Sequence, residues 1–124
     1  MKIEGIGKLL RIYIGVQDRY HGQPLYEAIV VKAKEMGLAG STVIRGIEGF
    51  GADSRTIHRA NILRLSQDLP LLIEIVDTEH RIRTAIEAFS KMLEEGGNGA
   101  LMTQESVEIL RYRKGKEADD ENKE

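Results

Sequence analysis

The sequence contains no cysteine, which excludes disulfides, thiol nucleophiles and zinc–thiolate centres. It has no tryptophan, and aromatic residues make up only 5%. Neither charge sign dominates. Eighteen basic and 20 acidic residues give a net charge of −2, so no global field draws the chain to nucleic acid or membrane. No apolar run reaches the ~20 residues of a membrane span. The opening Met1-Lys2-Ile3-Glu4-Gly5 has no apolar signal core, and the expected location is cytoplasmic. Catalytic groupings are missing as well. Ser41, Ser54 and Ser66 have no nucleophile-elbow context. His21, His58 and His80 lack ligand spacing, so no metal is expected.

Glycine is abundant: thirteen in 124 residues, and clustered. One cluster reads Gly46-Ile47-Glu48-Gly49-Phe50-Gly51, and a second reads Gly96-Gly97-Asn98-Gly99. Glycine lets the backbone approach a ligand closely and tolerates positive φ. With Arg111 and Arg113 near the end of the chain, the clusters suggest an anion cradle of main-chain N–H groups. The ordinary alternative is structural: Gly96-Gly97 as a helix C-cap, and Gly49 and Gly51 as a bulge. Arg111 and Arg113, two apart, are expected on one face of a strand, offering planar forks to phosphate. A solvated strand end, or a salt bridge to Glu74 or Glu108, competes with that reading.

Periodicity predicts the elements. Leu10, Ile12, Ile14 and Val16 alternate as a strand over 9–16. A turn at 18–22 follows, with Asp18 serving turn chemistry. Pro24 opens a helix carrying Leu25, Ile29, Ala33 and Met36, and Gly37 stops it. Thr42-Val43-Ile44-Arg45 reads as a second strand. The polar stretch 52–61, with Arg55, His58 and Arg59, reads as a long mobile loop, and 62–65 as a short extension. A third strand covers 71–76, and Asp77 or Thr78 caps a second helix. The stripe of that helix is Ile82, Ala85, Ile86, Phe89, Met92 and Leu93. Two strands, 100–103 and 107–112, close the domain. The fold class is therefore α+β: a ferredoxin-like two-layer sandwich, βαββαβ plus an extra C-terminal strand. Helices cover one sheet face, and the other carries residues such as Leu9, Arg11 and Tyr13. One domain spans 1–113, and 114–124 is expected to be a disordered charged tail.

Three stretches together resemble the PII signalling proteins. Residues 40–51, ending in Gly49-Phe50-Gly51, resemble the PII T-loop base. Gly97-Asn98-Gly99-Ala100-Leu101-Met102 resembles the B-loop, and Arg111-Tyr112-Arg113-Lys114-Gly115 resembles the Arg-x-Arg-x-Gly ending. The middle, including residues 58–70 and 73–77, is similar to an uncharacterised PII-like branch, a domain-of-unknown-function family. The resemblance implies a homotrimer with nucleotide clefts between neighbours, framed by the T-loop base, the B-loop and the C-terminal arginines. Carried onto this sequence, the implied ligand-binding residues are Ala39, Arg45, Gly49, Phe50, Gly51, Gly97, Asn98, Gly99, Arg111 and Arg113.

Departures from PII sharpen the expectation. Ala100 stands where PII proteins have a lysine, which removes one phosphate-neutralising charge. Residues 52–61 hold neither tyrosine nor glutamine, so PII-type uridylylation and the PII-type magnesium ligand have no residue to use. AMP or ADP is then favoured over Mg-ATP. The resemblance also implies an unidentified protein target, such as a transporter, channel or enzyme. The sequence thus suggests a regulator that binds an adenine nucleotide and reports through 52–61, without enzymatic activity. Two alternatives stand beside it. One is a partner-binding trimer with no ligand of its own. The other is an acylphosphatase-type enzyme, for which Gly15-Val16-Gln17-Asp18-Arg19 lacks the expected loop glycines.

Overall fold

The computed structural model of the chain describes residues 2–52, 58–59 and 69–115. Along the chain the elements are β1 (Gly5–Gly15), β2 (Arg19–Tyr20), β3 (Gln23–Pro24), α1 (Leu25–Glu35), β4 (Thr42–Arg45), β5 (Glu48–Gly49), β6 (His58–Arg59), β7 (Pro70–Asp77), α2 (Glu79–Gly96) and β8 (Leu101–Ile109). Four of them build the main sheet in the order β4-β7-β1-β8. All three pairings are antiparallel. Counting only these long strands, the order is second, third, first, fourth, which is the ferredoxin-like arrangement.

Alternation along the inner strands creates the core. Leu10, Ile12 and Ile14 of β1, and Leu71, Ile73 and Ile75 of β7, point to the helix side and are buried. Helix α1 covers them with Leu25, Ala28, Ile29 and Ala33, and α2 with Ile82, Ala85, Phe89, Met92 and Leu93. Both helices end in the same way. Gly37 and Gly97 take the left-handed conformation, with φ of 72° and 67°. In α1, Leu38 N–H donates to Ala33 O and Gly37 N–H to Lys34 O. In α2, Asn98 N–H donates to Leu93 O and Gly97 N–H to Glu94 O. These crossed bonds are the Schellman closure that glycine makes accessible. Thr78 caps the start of α2, its hydroxyl accepting from Arg81 N–H at 3.4 Å.

The opposite sheet face carries no helix. Register places Ile44, Leu72, Tyr13 and Leu101 side by side across all four strands. Ile44 is 45% exposed, Tyr13 38% and Leu101 55%. Beside this apolar row, Arg11 pairs with Glu74 at 3.1 Å and with Glu105 at 2.6 Å. Both carboxylates hold the Arg11 pKa above its usual value, led by the hydrogen bond that Arg11 donates to Glu74.

Several elements differ from the sequence expectation. The two short C-terminal strands are one strand, β8, because β1 offers an unbroken partner from Tyr13 down to Gly5. The polar run Gln104-Glu105-Ser106 between the two expected strands is exposed along a sheet edge and keeps its pairing. Beyond Ile109, which pairs with Gly5, no continuous partner remains. Arg111 and Arg113 therefore do not share a strand face, and only an isolated bridge joins Lys2 to Arg113. The turn after β1 is a small hairpin, with His21 and Gly22 both at positive φ between β2 and β3. Asp18 closes the approach, its carboxylate accepting from Gly15 N–H at 2.9 Å. Within the stretch expected to be a long loop, β6 pairs with β5. Residues 53–57, 60–68 and 116–124 lie outside the described residues, including Arg55, Ser54, Ser66, the 62–65 extension and most of the tail.

Candidate functional site

A cavity of about 420 Å³ opens on the helix-free sheet face, at the end where β1 begins. Leu9, Val76, Ile3 and Ile109 form its apolar walls. Ala39, Gly40 and Ser41 come from the α1–β4 connection, Thr42 from β4, Glu74 from β7, and Arg111 and Tyr112 from the segment after β8. An apolar cleft with a few convergent polar groups is the usual form of a small-molecule site, and ~300–1,000 Å³ is its ordinary size.

A buried carboxylate fixes the rim. Asp77 is fully buried at the end of β7. One oxygen accepts from Ala39 N–H at 2.9 Å, and the other accepts from Thr78 N–H at 2.7 Å. Arg81, one turn into α2, lies 3.6 Å away. These partners offset the cost of taking the charge out of water. The other backbone group of the same residue is held too, because the Tyr112 hydroxyl donates to Ala39 O. Tyr112 O in turn accepts from Ile3 N–H at 3.2 Å. Gly7 permits the close packing below: a Cβ there would lie 2.6 Å from both Asp77 O and Ile109 Cδ1.

The two arginines diverge. Arg113 donates to Glu4 at 2.8 Å, an exposed pair that realises the salt-bridge alternative with a different partner from Glu74 or Glu108. Arg111 makes no hydrogen bond or ion pair among the described residues, and it lines the cavity. Arg111 and Ala39 are thus brought to one place. Gly97, Asn98 and Gly99 are not. They precede Leu101, at the other end of β8 from Ile109, roughly 27 Å away for eight residues of strand. The Gly97 and Asn98 amides close α2 instead of facing outward, and Asn98 Nδ2 donates to Arg19 O at 2.8 Å. For Gly97 and Asn98, then, the helix-cap reading describes the chain as it stands.

Arg45, Gly49, Phe50 and Gly51 occupy a third place, at the β4–β7 corner. Arg45 pairs with Leu71, and Gly46 N–H donates to Pro70 O at 2.7 Å. Gly46 and Gly49 pack on the Pro70 ring, where a Cβ would lie 2.7 Å and 3.3 Å from Cγ. Phe50 is 66% exposed and Ile47 77%. Within one chain, the implied ligand residues therefore form three separate groups, with Arg113 apart from them on Glu4. Sequence reasoning missed Glu74, Asp77 and Tyr112 as parts of the site. The available signal was Tyr112 between the two arginines, and Asp77 read only as a helix cap. Among the described residues, no cluster of three or more His, Asp or Glu could hold a metal, and no helix is long and apolar enough to cross a membrane.

This sheet order, with helices on one face and a cleft on the other, defines a ferredoxin-like sandwich, the fold that PII-like proteins share. Solved structures agree. CPII from Thiomonas intermedia K12, bound to ADP and bicarbonate, matches with a TM-score of 0.61 at 16% identity, over 88% of this chain and 91% of that one. The same protein, described as a nitrogen regulatory PII-like protein, has also been solved with ADP, AMP and bicarbonate. A putative PII-like signalling protein from Thermus thermophilus matches at 0.58 and 17% identity, over 86% and 91%. The chain belongs to the DUF190 family, an uncharacterised ACR, which it matches over residues 7–109. It is 35% identical over 103 residues to a UPF0166 protein of Aquifex aeolicus, covering 83% of this chain and 92% of that protein. A UPF0166 protein of Methanocaldococcus jannaschii is 34% identical over 90 residues, covering 73% and 82%.

Proposed function

We propose that the chain is a PII-like regulator that binds an adenine nucleotide, AMP or ADP ahead of ATP, in clefts between the subunits of a homotrimer. The observation that carries this reading is Arg111: an arginine with no partner among the described residues, beside an apolar cavity of ligand size. The apolar walls suit a purine base, the hydroxyls of Ser41 and Thr42 and the Glu74 carboxylate suit its polar edge and ribose, and Arg111 suits phosphate. The bound ADP and AMP of the CPII structures support the choice of ligand.

The separation of the residue groups fits a shared cleft. The cavity lies on the face whose apolar row is uncovered in one chain. A neighbouring subunit packed there closes the cavity and brings its own glycine turns to it. Because the Gly97 and Asn98 amides are already donated, phosphate charge falls mainly to arginine, and Ala100 adds none. A short phosphate chain is then favoured. Occupancy reports through residues 52–61, the stretch that carries β6 and its pairing to β5, to a protein target such as a transporter, channel or enzyme.

Calorimetry with AMP, ADP and ATP tests this. Micromolar binding of AMP or ADP, weaker ATP, and a loss of ~1–3 kcal/mol in Arg111→Ala are expected for a charge-assisted contact. If no nucleotide binds below millimolar, the chain is a partner-binding module without this ligand.

A further inference from the structure

We propose that the Tyr112 hydroxyl is a positioning group for Arg111, locking the arginine-bearing C-terminal segment onto the Ala39 peptide. The proposal rests on the nucleotide reading of the same cavity. Residues after β8 lie beyond its continuous ladder, and only the isolated bridge of Lys2 with Arg113 pairs them, so no strand register fixes Arg111 itself. Its immediate neighbour supplies the anchor. The Tyr112 carbonyl accepts from Ile3 N–H at 3.2 Å, and the Tyr112 hydroxyl donates to Ala39 O.

The residue that receives this bond is itself held through its preceding peptide. Ala39 N–H donates to the buried Asp77 carboxylate at 2.9 Å, and Asp77 also takes the first amide of the α2 cap. A chain of hydrogen bonds therefore runs from the start of α2, through Asp77 and the residue-39 connection, to the ring beside Arg111. An arginine side chain has much rotamer freedom to lose on binding phosphate. Fixing its backbone beforehand lowers that cost, as preorganisation does generally. Tyr112 is distinct from a ligand contact in this account, since its hydroxyl is already committed to Ala39 O.

The experiment is a double-mutant cycle on the full-length protein, using ADP as the probe: wild type, Tyr112→Phe, Arg111→Ala and the double variant, by calorimetry. Tyr112→Phe keeps the ring and removes only the donor. It should weaken ADP about threefold to tenfold, the effect of one lost hydrogen bond, with the oligomeric state intact. In the Arg111→Ala background the same change should have no further effect, because Tyr112 acts through Arg111. Two outcomes overturn the proposal while leaving the nucleotide site standing: wild-type affinity in Tyr112→Phe, or the same weakening in both backgrounds. Wild type that fails to bind ADP overturns the nucleotide reading and this proposal with it. Should Tyr112→Phe not fold, hydrogen exchange of the wild-type protein decides. The Ala39 amide and the amides of 110–113 should slow together on adding ADP. Slowing of one group without the other refutes the lock.

Discussion

Gly97 sits at φ 67°, and its amide bonds to Glu94 O. At that position an L-residue is strained by about 1–2 kcal/mol, and the amide has its partner inside the helix. Gly97→Ala should therefore lower stability by about 1 kcal/mol in urea unfolding and leave ADP affinity within twofold. A large loss of affinity at unchanged stability would restore the anion-cradle role. The sequence made this glycine visible but not its use, since a C-cap and a phosphate turn demand the same backbone freedom. The arginines show the same limit. Two residues apart, they looked equivalent; Glu4, distant in sequence, takes Arg113, and Arg111 is left at the cavity. Asp77 was legible as a cap candidate, but its bond to Ala39, 38 residues away, depends on how α1 and β7 end together.

Strand β1 shows how far periodicity reaches at the scale of an element. The alternation of Leu10, Ile12 and Ile14 announced a strand with one buried face, and those side chains are buried. Its true start at Gly5 was not legible, because Gly5, Gly7 and Lys8 carry no alternating apolar signal. Gly7 is there for contact: a Cβ would meet Asp77 O and Ile109 Cδ1 at 2.6 Å. The backbone oxygen cannot swing aside as a side chain can. Gly7→Ala should cost about 1–3 kcal/mol, the range for overpacking a filled site. It should also weaken ADP binding, since Ile109 walls the cavity. Chemical denaturation and calorimetry on the same variant check both. Stability within about 0.5 kcal/mol of wild type, the scatter of an ordinary surface change, would mean that β1 and β8 adjust freely at that end. The merging of two expected strands into β8 has a related cause: an edge strand keeps its pairing on one side while its outward residues stay polar.

The whole molecule presents one sheet face without helices. Ile44, Leu72, Tyr13 and Leu101 cross it in a row, with Val76 37% exposed nearby. An apolar band spanning a four-stranded sheet is more than scattered surface residues, and such patches mark contacts with other chains. The Arg11, Glu74 and Glu105 cluster beside it is internally paired, so covering it does not strand an isolated charge. The expected assembly is a homotrimer, and light scattering at micromolar concentration should give about three chains. Tyr13→Glu places a carboxylate in the middle of the row, on an outward-facing position that the core does not use. It should produce a folded monomer with near-wild-type circular dichroism. Because the neighbouring subunit closes the cavity in the proposed assembly, that monomer cannot complete the cleft. Its ADP affinity should fall at least tenfold, although no residue of the cavity wall has changed. A Tyr13→Glu monomer that binds ADP as tightly as wild type would place the whole site within one chain, and the intersubunit cleft would be wrong even if the trimer is right.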